Sequence, residues 1–356
     1  MARTSSRRRP ARGGLVTAAA ASMLFAWATA AAGAVSGQDL AQAAGRPLIG
    51  KPAPRLVLKT IDGATIDLGR LYGKEAVYLK FWATWCVPCR QQMPHFEHVY
   101  ETAGTDLAVI AINTGFNDSI DRVRAYRQQL KITMPIVMDD GTLAAAFGLR
   151  VTPQHIVIGR DGRIDYVGHL ADARLDAAVA AARGEPAPAS SPSARAPPLI
   201  REYAVGDPLP DRAPRTLDGP AFRFHDPADA RPIVLVFLSP WCETYLATTR
   251  PGMSASCRRM REQVTAMQGE RDVRWLGIAS GLWATPQDLR AYRREYGVRI
   301  PLTLDESGAL FRAFGVTAVP AALITDARGR IAREWMGGDH AAQLDLRAAV
   351  RGIDAQ

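Results

Sequence analysis

Two cysteines stand two residues apart in FWATWCVPCRQQMP, residues 81–94, and the chain of 356 residues has only two others, Cys242 and Cys257. A Cys-x-x-Cys pair can be a structural staple, half of a metal site, or a reversible dithiol–disulfide centre. A disulfide across so short a loop restricts the unfolded chain little and stabilises little. Zinc needs two further ligands, and Cys242 and Cys257 are too far apart to form a second knuckle, so no metal is assigned. Arg90 occupies the position where haem attachment requires histidine. Redox exchange remains, with Cys86 and Cys89 as the reacting pair.

The elements that must position them are legible. EAVYLKFW, residues 75–82, reads as a buried strand, and RQQMPHFEHVYE after Cys89 reads as a helix. Cys86 then caps that helix, where the dipole and unpaired N–H groups favour thiolate and lower the thiol pKa. Cys89, one turn on, is placed to resolve a mixed disulfide. His95 and His98 read as a solvated helix face.

WCVPC, Pro94 five residues beyond the second cysteine, and VTP at 151–153 resemble thioredoxin-fold proteins, most closely the exported TlpA/ResA-type disulfide reductases. The resemblance implies that Cys86 attacks, that Cys89 resolves and that Pro153 is a cis-proline facing them. It also implies that Thr152 offers backbone hydrogen bonds to a bound peptide and that Trp85 belongs to the site. Where thioredoxins carry a buried aspartate, six residues before the first cysteine, this chain has Lys80. That lysine either lies beneath the site, stabilising thiolate, or snorkels to solvent. No cofactor is implied. The partners implied are protein thiols and disulfides, with a membrane electron donor of the DsbD/CcdA type and a use in cytochrome c maturation or thiol homeostasis.

The second half repeats the first. PLIGKPAPRLVLKTIDG and MPIVMDDGTLAAAFGLRVTPQHIVIGRDGRI of residues 47–183 return as YAVGDPLPDRAPRTLDG and IPLTLDESGALFRAFGVTAVPAALITDARGRI of residues 201–356. Between them residues 184–200, beginning GEPAPASSPSARAPP, form a Pro/Ala/Ser-rich linker. Cys242 of SPWC aligns with Cys86 of ATWC. Cys257 lies 63 residues before Pro320, as Cys89 lies 64 before Pro153, so Cys242, Cys257 and Pro320 form a possible second redox set. Fourteen residues separate these cysteines, so no single helix can join them; Pro251 and Gly252 break the stretch, and a loop returns Cys257 to Cys242. The pair is open to two readings, catalytic or static disulfide. A thiol peroxidase reading rests on Ser239 three residues before Cys242, although Leu235 replaces the expected proline. A copper- or partner-binding module is the other alternative, with His225 and His340 lacking motif context. Apolar stripes Ile120, Val123, Tyr126, Leu130 and Leu289, Tyr292, Tyr296 mark a core helix in each half.

Net charge is +9, but Arg3, Arg7, Arg8, Arg9 and Arg12 carry five of those charges, which leaves +4 mixed with acids and no case for nucleic acid. The arginines and the apolar run from Leu15 form an export signal over residues 1–36, with a cut expected after Ala34 in preference to retention as an uncleaved N-terminal membrane anchor, and with a periplasmic destination either way. The fold expected is α/β: two tandem thioredoxin-like domains, each a mixed central sheet covered by helices.

Overall fold

The computed structural model describes residues 35–184, 203–226, 228–337 and 344–352. The export segment up to Ala34, the linker after Gly184 and His340 lie outside the described residues.

The first domain runs α1 (Gly37–Gly45), β1 (Val57–Lys59), β2 (Thr65–Asp67), α2 (Leu68–Leu71), β3 (Ala76–Trp82), α3 (Val87–Glu101), β4 (Leu107–Asn113), α4 (Ile120–Leu130), β5 (Ile136–Met138), α5 (Thr142–Ala146), β6 (Gln154–Ile158), β7 (Ile164–Gly168) and α6 (Ala173–Gly184). The second runs β8 (Ile233–Leu238), α7 (Cys242–Thr249), α8 (Pro251–Met267), β9 (Arg274–Ser280), α9 (Pro286–Tyr296), β10 (Leu302–Asp305), α10 (Ala309–Ala313), β11 (Ala321–Thr325), β12 (Ile331–Trp335) and α11 (Leu346–Arg351). Their five-stranded sheets have orders β5-β4-β3-β6-β7 and β10-β9-β8-β11-β12, the same topology twice. In each, three parallel strands adjoin an antiparallel pair.

Every residue of β3, AVYLKFW, is buried, as expected of a central strand covered on both faces. Its alternation sends Val77, Leu79 and Phe81 into the core with Leu68 and Phe147. Tyr78 and Trp82 face the other way, into the core that contains Cys89, Met93 and Phe96 of α3. That second core does not stop at the domain boundary: the same cluster takes in Phe237, Cys242, Cys257, Phe311 and Phe314 of the second domain.

Three local features differ from the sequence reading. The stretch between Cys242 and Cys257 is not a loop: α7 starts at Cys242 and Pro251 starts α8, where its missing N–H costs nothing, so only Arg250 breaks the helix. Ile120 is exposed, because it opens α4 and only Val123 and Tyr126 turn fully inward. Residues 35–46 join the first domain: α1 lies on β7 closely enough that a Cβ at Gly37 or Gly45 would overlap His169 or Val167.

Candidate redox site

Strand β3 ends at Trp82, the chain turns through Ala83–Trp85, and α3 begins with Cys86 as its N-cap. Cys86 and Cys89 are joined as a disulfide, Cα atoms 5.2 Å apart. Cys86 Sγ accepts the Cys89 backbone N–H at 3.2 Å, so it occupies the place a serine or aspartate oxygen takes at an ordinary cap. It also lies 3.4 Å from the Thr152 carbonyl oxygen, and the peptide bond between Thr152 and Pro153 is cis. Thus Trp85, Cys86, Cys89, Thr152 and Pro153, spread over 69 positions, converge on one corner of the sheet.

Lys80 is fully buried, so it does not snorkel. On β3 it sits opposite His155 of β6, and its Nζ is 5.2 Å from the Phe96 ring centre of α3. That nitrogen has no hydrogen-bond partner. Burial without a counter-charge favours the neutral amine and brings its pKa down to about 7.

Around it runs a network that motif reading did not detect. Gln92 Nε2 donates to the His169 carbonyl at 3.1 Å, which leaves Gln92 Oε1 to accept from His155 Nε2 at 2.8 Å. His155 Nδ1 therefore accepts from the Tyr78 hydroxyl at 2.8 Å. Burial, with Lys80 beside it, pushes the His155 pKa well down and keeps it neutral. His169 Nδ1 donates to the Pro153 carbonyl at 2.7 Å, and its backbone N–H is held by Gln38 of α1 at 2.8 Å. No motif marks Gln92, His155 or His169; the one available signal is a histidine directly before the apolar run of the strand QHIVI.

In the second domain Cys242 and Cys257 are also joined, Cα atoms 6.2 Å apart, and the bond before Pro320 is cis. Register with the first domain places Val234, Val236, Met260 and Ala322 where the first has Tyr78, Lys80, Gln92 and His155. All four are core residues of one apolar cluster. The second site therefore has the cysteines and the proline without the polar network beneath them. Ser239 Oγ is buried without a partner. His225 is exposed, and no group of three or more metal-ligating side chains occurs among the described residues. His95 Nε2 lies 3.1 Å from an Asp176 carboxylate oxygen.

The two disulfide-bearing corners face each other. The Trp85 and Trp241 rings, each directly before a nucleophile position, stack with centres 5.1 Å apart. The Val87 N–H, at the start of α3, donates to the Tyr245 hydroxyl at 3.1 Å. Arg250, at the break between α7 and α8, hydrogen-bonds Thr84 and pairs with the buried Asp118 at 3.2 Å. Burial raises the Asp118 pKa, opposed by donors from Thr84 and Asn113. Beside Cys86 opens a groove of about 500 Å³ bordered by Arg90, Arg122, Tyr126 and Arg250.

The chain is similar in sequence to known proteins. The chain is 35% identical over 130 residues to the thioredoxin-like protein YneN of Bacillus subtilis, which covers 36% of this chain and 76% of that one. It is 36% identical over 117 residues to the thiol-disulfide oxidoreductase ResA of Halalkalibacterium halodurans, covering 32% of this chain and 65%, just under two thirds, of that protein. A thioredoxin-family thiol:disulfide interchange protein from Chlorobium tepidum, of known crystal structure, shares 30% identity over 37% of this chain and 96% of its own, with a TM-score of 0.34. The pattern that defines the AhpC/TSA family matches twice, over residues 49–167 and 205–334, and the chain belongs to that family, with two tandem thioredoxin-like domains.

Proposed function

We propose that this thiol–disulfide oxidoreductase is exported and works as a reductase through its first domain. Cys86 thiolate attacks a protein disulfide, forming a mixed disulfide and expelling one substrate thiolate. Cys89 then loses its proton to the neutral Lys80 amine and attacks Cys86 Sγ, expelling the second substrate thiolate. Protons from Lys80 and solvent complete the two substrate thiols. The chain is left with the Cys86–Cys89 bond, and two electrons have passed to the substrate. A dithiol carrier, by analogy a DsbD/CcdA-type membrane protein, reverses the change; cytochrome c maturation and periplasmic thiol homeostasis are two settings for such a cycle.

The observation that supports the reducing direction is the chemistry beneath Cys86. A strongly oxidising site needs a heavily stabilised thiolate, since that stabilises the reduced form. Here the sulfur accepts one backbone N–H, burial keeps His155 neutral, and burial brings the Lys80 pKa down to about 7, so the amine carries less than a full charge at neutral pH. Thiolate stabilisation is therefore modest. Equilibration of the first pair with a glutathione buffer tests this: a potential near that of thioredoxin, about −270 mV, supports a reductase, and one near that of DsbA, about −120 mV, overturns it.

A further inference from the structure

The two domains meet through pseudo-symmetric backbone contacts. Arg150 and Thr317 each lie three residues before the proline of their domain. The Arg150 carbonyl accepts the Trp283 N–H at 2.9 Å, and the Thr317 carbonyl accepts the Asn117 N–H at 2.8 Å. Trp283 and Asn117 end the turns that follow β9 and β4, and both have φ of 57°. Their side chains complete the match one step from the prolines. Trp283 Nε1 donates to Thr152 Oγ1 at 3.1 Å, and the Val319 N–H donates to Asn117 Oδ1 at 3.0 Å. Each domain therefore inserts a turn along the chain edge before the other's proline.

On the first domain that edge borders the sulfur: Thr152 contributes both the contact with Trp283 and the carbonyl beside Cys86. Arg150 reinforces the seat, donating to the carbonyls of Gly281 at 3.2 Å and Ala284 at 3.0 Å. With Trp241 stacked on Trp85 and Tyr245 on Val87, Cys86 is left 1% exposed and Trp85 2% exposed. Exchange requires a sulfur of the incoming disulfide to reach the nucleophile, so access sets the rate.

From this we propose that the second domain is a resident cover on the substrate edge of the first, rather than a second catalyst. Along that edge a protein disulfide reaches Cys86 only by displacing Trp241, Tyr245 and Trp283, which leaves the groove bordered by Arg90, Arg122, Tyr126 and Arg250 as the other approach. The replacement of Tyr78, Lys80, Gln92 and His155 by Val234, Val236, Met260 and Ala322 supports the division of labour: the copy that covers has apolar residues in place of the buried amine and the hydrogen-bonded network around it. The same loss assigns the Cys242–Cys257 bond to holding α7 and its aromatic residues in place. The cover acts whichever way electrons run through Cys86.

The test is alkylation of Cys86 by iodoacetamide in the full-length chain with the Cys86–Cys89 pair selectively reduced and the Cys242–Cys257 bond intact, beside reduction of insulin. Trp241→Ala removes the stack, and Asn117→Gly removes the amide at the other pseudo-symmetric contact while tolerating its positive φ. Each is checked for wild-type circular dichroism. Alkylation at least tenfold faster in either folded variant, with faster insulin reduction, supports the cover. Rates equal to wild type in both overturn it. In Cys89→Ser protein, a Cys86–Cys242 crosslink would make the second pair a substrate of the first and overturn the cover as well; its absence supports the cover. Because alkylation needs no turnover, protection of Cys86 together with a DsbA-like potential would leave the cover standing while refuting the reductase.

Discussion

Replacing Lys80 by methionine should stabilise the first domain, and by an amount that depends on pH in a defined direction. Lys80 titrates near 7 in the folded chain against 10.5 when exposed, because burial disfavours its charged form. Above pH 10.5 the amine is neutral in both states and nothing is lost. As pH falls, the unfolded chain takes up a proton that the folded chain refuses, so stability drops until pH 7 and is flat below it. Linkage puts the penalty at about 4 kcal/mol at pH 7 and about 1 kcal/mol at pH 9.5. Methionine has similar length and no charge to desolvate, so the Lys80→Met advantage should shrink by about 3 kcal/mol between those two pH values. In urea, at roughly 2 kcal/mol per molar, the variant's midpoint should lead wild type by about 2 M at pH 7 and about 0.5 M at pH 9.5. Both proteins are compared with their disulfides intact, by tryptophan fluorescence. A lead that is the same at both pH values would refute the buried neutral amine. The same variant should slow insulin reduction at least tenfold, because it has nothing to accept the Cys89 proton.

Arg250→Ala strips the buried Asp118 of its cation and should cost about 3–5 kcal/mol in thermal or urea unfolding; Asp118→Asn with Arg250→Ala should recover part of it, and equal losses in single and double variants would contradict the pairing. Tyr78→Phe removes the donor to His155 Nδ1 and should cost about 1–3 kcal/mol, measured by urea unfolding, with the alkylation rate of Cys86 unchanged. Cys242→Ser with Cys257→Ser should lower stability by about 3 kcal/mol, as expected for closure of a loop of this length, while insulin reduction by Cys86 persists; loss of reduction in a folded double variant would assign the second pair a catalytic part.

Much of the fold was legible because the repeat doubled every signal. The strand EAVYLKFW, the cap at Cys86 and the helix after it follow from local pattern, and the relation of Cys242 to Cys86 follows from counting. Lys80 shows where local pattern stops. Its position six residues before Cys86 is plain, but whether it points under the helix or out to solvent depends on α3 packing over it and on its register with His155 of β6, 75 positions away. The helical form of the stretch after Cys242 is not legible locally, because a proline such as Pro251 begins a helix as readily as it breaks one. Asn117, Tyr245, Arg250 and Trp283 carry no pattern, since their roles exist only once two separately folded sheets are brought face to face.

The apolar cluster that runs from Met93 and Phe96 through Trp85 to Phe237 and Phe311 has a kinetic consequence. Separation of the domains would present the rings of Trp85, Phe116, Trp241 and Phe311 to water together, a cost that grows with the apolar area uncovered. The separated form is thus rare and adhesive. If the cover opens as proposed, an extended apolar segment would compete for the vacated place better than the polar surface of a native protein. Selection among clients would then operate before any sulfur is touched, by how well a polypeptide wets four aromatic rings in the moment they are bare.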